Sequence, residues 1–196
     1  MRRSSDDYEK MKTLAMDIYL DYNIQGFPID EHQIFKKLGI PLIPYSKYPE
    51  ENLALLKKKS RDAFYIPATE FNPFMILYND NLNDVQSKGR QRFSIFHDLK
   101  HFVNNDTKET PYNEDMADFF SRFFMCPIPY LVAKNYPPDI LIIANDFKLS
   151  IDAASNVVSN LKNRISIYGH KIFDNEKEFV KHLLNAENNK GGDVYD

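Results

Sequence analysis

The sequence predicts an α+β fold that is mainly helical, with a small, mostly antiparallel sheet. Apolar residues recur at helical spacing over 5–22, 90–103, 114–124 and much of 139–184. Short runs rich in β-branched and aromatic residues are confined to the middle of the chain, at 40–44, 63–66 and 74–78. With 196 residues there is enough chain for one substantial core and too little for several. The expected organisation is a region 1–135 that holds the sheet, a helical region 136–186 packed on it as one compact unit, and a disordered tail 187–196.

Ser5 is placed to cap a helix running to Tyr22, with Met11, Ala15, Ile18 and Tyr22 on one face. Asp30 and Gln33 have capping-box spacing for a short helix closed by Gly39. Ile40 to Pro44 reads as an edge strand, because Pro41 and Pro44 cannot donate to a central ladder. Pro49 to Lys58 is expected to be helical and to run into the basic cluster Lys57 to Arg61, the usual composition of a solvated helix end. The strands at 63–66 and 74–78 are joined by a proline-containing connection that suggests an antiparallel pair. A polar loop, 79–87, is expected next, with Gly89 loosening the start of the following helix.

That helix carries the chemistry. Phe93, Phe96, Leu99, Phe102 and Val103 form its apolar side, while His97 and His101 stand at i and i+4. This spacing brings their Cβ atoms to about 5–6 Å, so both imidazoles can reach one ion at roughly 2.0–2.1 Å. Asp98 follows the first histidine, where His-Glu-x-x-His zinc peptidases keep the carboxylate that takes a proton from water. Two histidines four apart can also be plain surface residues. A second element supports the metal reading: Glu114 opens another amphipathic helix thirteen residues beyond His101, and its carboxylate can complete a two-histidine, one-carboxylate set. Asp118, one turn further, can hold a ligand histidine by its other ring nitrogen. Such donors suit Zn²⁺, and Mn²⁺ or Fe²⁺ also.

The run Arg92 to His101, followed by Glu114, Ala117, Phe120 and Met125-Cys126-Pro127, resembles the ImmA/IrrE metallopeptidases of bacteria and their mobile elements. Relatives usually show Arg-Phe-Thr-Ile-Ala-His-Glu-Leu-Gly-His, so this chain has Asp98 for Glu, Lys100 for Gly and Phe96 for Ala. The resemblance implies that 1–135 is a zincin-like metallopeptidase region with His97, His101 and Glu114 as ligands and Asp98 as the catalytic acid-base. It also implies a site-specific endopeptidase that cleaves a helix-turn-helix transcriptional repressor and so derepresses genes of a phage, mobile element or stress response. The shortened acid keeps a second expectation open: a weak or inactive peptidase fold acting by binding, as an antirepressor or a toxin-antitoxin partner. An oxyanion donor is expected too, with Tyr78, Tyr112 and Tyr130 as unranked candidates. His32, His170 and His182 read as ordinary histidines.

The last third predicts a helix-turn-helix-like pair: 138–147, a turn at Lys148-Leu149, and a helix capped by Ser150 with Ile151, Ala154, Val157, Val158, Leu161 and Ile165 inward. Its outward positions Asp152, Ser155, Asn156, Ser159 and Asn160 offer no cation to phosphates, which argues against direct nucleic-acid binding. A net charge of −3 argues the same way. A final amphipathic helix is expected over 175–184. The one cysteine, Cys126, excludes an internal disulfide and suits a reducing compartment. Met1 to Asp7 has no apolar stretch behind its arginines, and no segment has the length of a membrane span, so the expected location is the cytoplasm.

Overall fold

The computed structural model describes residues 4–106, 108 and 110–190, without the side chains of 187–190. Helices dominate, and a three-stranded sheet lies against one of them, so the fold class is α+β. α1 (Ser5–Asp21) starts one residue earlier than expected. Ser4, not Ser5, is its cap: its hydroxyl accepts from the Asp7 N–H while the Asp7 carboxylate accepts from the Ser4 N–H, closing a capping box. α2 (Glu31–Leu38) is capped by Asp30 and ended by Gly39 at φ 70°, where a side chain would be strained.

The sheet corrects one expectation. Its order is β1 (Leu42–Pro44), β3 (Met75–Tyr78), β2 (Ala63–Ile66), and β1 runs parallel to β3 while β2 runs antiparallel to it, so the sheet is mixed rather than mostly antiparallel. The cause is connectivity. Between β1 and β2 the chain makes α3 (Glu50–Lys59), and the hairpin that follows inserts β3 between the two earlier strands. Both outer strands are therefore edges, and the prolines of β1 sit where a missing donor costs least.

α4 (Val85–Val103) begins inside the stretch expected to be loop, because Asp84 caps it by accepting from the Ser87 N–H at 2.8 Å. Gly89 does not loosen this helix. A Cβ there would lie 2.4 Å from the Ser150 nitrogen, so the glycine lets the backbone of Leu149 and Ser150 approach α4. α5 (Pro111–Met125) also starts early, three residues before Glu114, with Thr110 as cap and Pro111 in the first turn. α5 packs along α4 through Phe96 and Phe124, whose ring centroids are 5.2 Å apart, and through the Ser121 hydroxyl donating to the Phe93 carbonyl. Phe96 is fully buried, and its truncation to alanine would cost about 3–5 kcal/mol.

α6 (Ile128–Ala133), α7 (Ile140–Phe147), α8 (Ile151–Tyr168) and α9 (Lys177–Lys190) complete the chain. α7 and α8 meet across a turn in which Lys148 takes φ 53°, and Asp152, Ser155, Asn156, Ser159 and Asn160 are exposed. α9 starts after a short 3-10 turn, Asp174–Glu176, and runs through 187–190, which were expected to be tail; 191–196 lie outside the described residues. One continuous group of buried apolar side chains joins α1, α4, α5, α7, α8 and α9. Among the described residues no helix is long and apolar enough to cross a membrane.

Candidate metal centre

α4 places His97 and His101 on adjacent turns, with ring centroids 5.1 Å apart. The chain reverses through 104–110, and the first turn of α5 brings Glu114 back over them. One donor atom from each of the three residues lies within 4.8 Å of the other two. Glu114 Oε2 is 3.1 Å from His97 Nε2, and Glu114 Oε1 is 3.5 Å from His101 Nε2. Ligand atoms about 2.0–2.1 Å from a tetrahedral ion are roughly 3.3 Å apart, so the spacing has the right scale for one cation.

The opposite side of each ring shows why these nitrogens face one another. His97 Nδ1 is 3.0 Å from Asp118 Oδ1, and His101 Nδ1 is 2.9 Å from Asp106 Oδ2. A carboxylate at Nδ1 holds the ring hydrogen there, leaving the Nε2 lone pair turned inward. When both rings are neutral and so held, two lone pairs and a carboxylate converge with no hydrogen among them. Glu114 Oε1 is indeed a buried atom without a hydrogen-bond partner, although the side chain as a whole is half exposed. Such a cluster is unfavourable unless a cation, or a second proton on a ring, lies between the acceptors. The donor set therefore fits a divalent ion: His97, His101 and Glu114 would hold it.

The surroundings push the two imidazoles in opposite directions. Burial alone would lower the pKa of His97, but the hydrogen bond to Asp118 and the charges of Asp98, Asp118 and Glu114 raise it above the usual 6.5. Burial lowers that of His101, and the neighbouring charges of His97 and Lys100 add to the effect against the Asp106 bond, leaving it below 6.5. His101 is thus favoured as the neutral imidazole that a metal requires. Asp118 lies below the usual carboxylate value, held there by His97 and Arg122 against its partial burial.

A cavity of about 330 Å³ opens over the three donors. Asp98 lines it and is buried, 7% exposed, beside His97. Its other wall is β2: Ala63, Phe64 and Tyr65 all border the space. The Asp62 carbonyl accepts from the Asn79 N–H, so residues 62, 64 and 66 form the hydrogen-bonded pairs with β3, and the peptide groups of 63 and 65 point away from it.

The tyrosines proposed as oxyanion donors are elsewhere. Tyr112 hydrogen-bonds Asp7, Tyr130 is buried in the core, and Tyr78 borders a different cavity with Glu31, His32 and Lys148. Tyr65 is the tyrosine at the site, its ring stacked on His101 at 5.3 Å. Sequence reasoning passed over Tyr65, and over Asp106 too; an acid five residues beyond a ligand histidine, just past the helix end, was the available signal for the latter. His182 Nε2–H donates to the Ile24 carbonyl at 2.9 Å, His32 meets Tyr78 edge-on, and His170 is exposed. Cys126 is a core residue, and burial pushes its thiol well above the ordinary value. Comparison with protein-family models and with curated proteins finds no match for this chain.

Proposed function

We propose that this chain is a zinc-dependent, site-specific endopeptidase of the ImmA/IrrE kind. It acts in the cytoplasm on a helix-turn-helix transcriptional repressor and so derepresses genes of a phage or mobile element. One observation carries the reading: two imidazole nitrogens and a glutamate converge beside a buried acid in an open cleft, with a carboxylate at the far nitrogen of each ring. Bound there, Zn²⁺ (or Mn²⁺ or Fe²⁺) supplies Lewis acidity, polarising a peptide carbonyl and making a nearby water more acidic. Asp98 is the group that accepts the water's proton and returns it to the departing amine. Asp118 and Asp106 keep the Nε2 lone pairs of His97 and His101 turned inward throughout. β2, an edge strand on the cleft wall, suits an extended substrate segment laid along it as an added strand.

The test is incubation of the zinc-loaded protein with the repressor-like protein encoded beside its gene, with fragments read by mass spectrometry. Cleavage that His97→Ala and a chelator both abolish is the expected result; an intact repressor under every metal condition contradicts it. The shortness of Asp98 favours one second reading, a sequestering antirepressor or toxin-antitoxin partner that retains the site. Under that reading Asp98→Ala leaves derepression intact and no fragments form.

A further inference from the structure

Lys100 has no exposed surface, an unusual position for an ammonium group one residue from a candidate metal ligand. Its Nζ donates to Asp106 Oδ2 at 2.5 Å and to the Asn113 carbonyl at 3.1 Å. Each contact reaches a different half of the donor set. Asp106 Oδ2 is the atom that accepts the Nδ1–H of His101, and Asn113 immediately precedes Glu114 on the first turn of α5. We propose that Lys100 is a positioning residue for the metal centre, one buried cation that fixes both the carboxylate behind His101 and the turn that aims Glu114.

The physical grounds are the depth of the group and the partners it meets there. A buried ammonium is costly unless an opposite charge and hydrogen bonds compensate it, and an apolar side chain would fill the same space without that cost. What only the ammonium supplies is a fixed counter-ion for Asp106, whose side chain is itself 5% exposed. Asp106 is gripped from its other oxygen as well, by Asn104 Nδ2 at 2.7 Å. Held so, the carboxylate cannot turn from His101, and the imidazole keeps its hydrogen on Nδ1. His97 is oriented differently: Asp118 is 44% exposed and can be steadied by water. The two ligand histidines therefore rely on unlike supports, a solvated acid for one and a buried ion pair for the other.

The proposal rests on the metal-centre reading but is tested separately from it. In Lys100→Met the Asp106 charge is left buried and alone, and that variant can fail to fold; the double variant K100M/D106N removes both charges. Long-range ¹H–¹⁵N NMR of the metal-free proteins reads the tautomer of each ring. The wild type should show His101 with its hydrogen on Nδ1, and K100M/D106N a mixture at His101 with His97 unchanged. Zinc affinity by competition titration should fall about 10–100-fold in Asp106→Asn and further in the double variant, because the turn that aims Glu114 then also loses the Lys100 bond to the Asn113 carbonyl. If K100M/D106N matches Asp106→Asn in His101 tautomer and in zinc affinity and differs from it only by a lower unfolding temperature, the lysine is purely structural, and that result overturns the proposal. A wild-type protein that takes up no zinc sinks the peptidase reading instead, and the tautomer measurement still decides the role of Lys100.

Discussion

Two glutamates in this molecule, one fully buried and one half exposed, have opposite surroundings. Glu176, at the junction of α1, α8 and α9, is fully buried and saturated: Arg164 donates to both of its oxygens at 2.9 and 2.7 Å, Lys12 lies 3.1 Å away, and the Phe173 N–H completes the set. Glu114 instead faces two imidazole nitrogens, each on a ring whose other nitrogen meets a carboxylate. The first carboxylate lacks nothing and ties helices together. The second belongs to a group of donors that could hold a metal ion, whereas the protein already supplies the cations around the first.

Substitution should expose the contrast. The largest effect is expected for Glu176→Ala, which leaves Arg164 without its carboxylate and Lys12 with Glu9 alone, and should cost about 3–5 kcal/mol in chemical denaturation while leaving zinc uptake unchanged. Glu114→Gln should change the metal-free stability by only about 0–1 kcal/mol, yet remove the rise in unfolding temperature on adding zinc. If Glu114→Gln destabilises the metal-free protein as much as Glu176→Ala, the two clusters are alike and the comparison fails.

Next in size is the acid. Lengthening Asp98 to Glu should raise peptide hydrolysis by up to about a hundredfold, since a reacting group misplaced by about 1 Å can cost that much, with zinc affinity unaltered. Asp118→Asn should weaken zinc binding by about 10–100-fold through the loss of its hold on His97.

The smallest expected signal is the pH dependence. Burial would raise the pKa of Glu176, but Arg164, the Phe173 N–H and Lys12 hold it below the usual 4.5. A carboxylate depressed on folding contributes its full stability above the unfolded value, and loses it as pH falls through the lower folded one. The stability difference between wild type and Glu176→Gln should therefore be flat at neutral pH and shrink only below about 4.5. A difference that changes between pH 6 and 8, roughly the histidine range, would point to other groups.

How much of this was legible beforehand follows from the range of the interactions involved. Helical spacing alone puts His97 beside His101 and Glu114 one turn before Asp118, because those relations are local to α4 and α5. The caps at Asp30 and Ser150 are local as well. Strand order was not, since whether β3 pairs with one neighbour or two depends on how the hairpin inserts, and β1 carries no mark of its parallel partner. Asp106 was missed because its direction is set by the turn at Asn105, φ 51°, and by Lys100. Lys100 itself sits on a helix whose pattern gives no sign that a lysine would be fully buried. Gly89 did carry a signal, because a glycine inside a helix has a cost and usually marks a close approach.

Calorimetric titration of zinc into the metal-free protein, with His97→Ala alongside, tests the central claim most directly. One ion taken up per chain by the wild type and none by the variant is the result these three converging donors require. No heat of binding in the wild type, or uptake that His97→Ala leaves untouched, would contradict it.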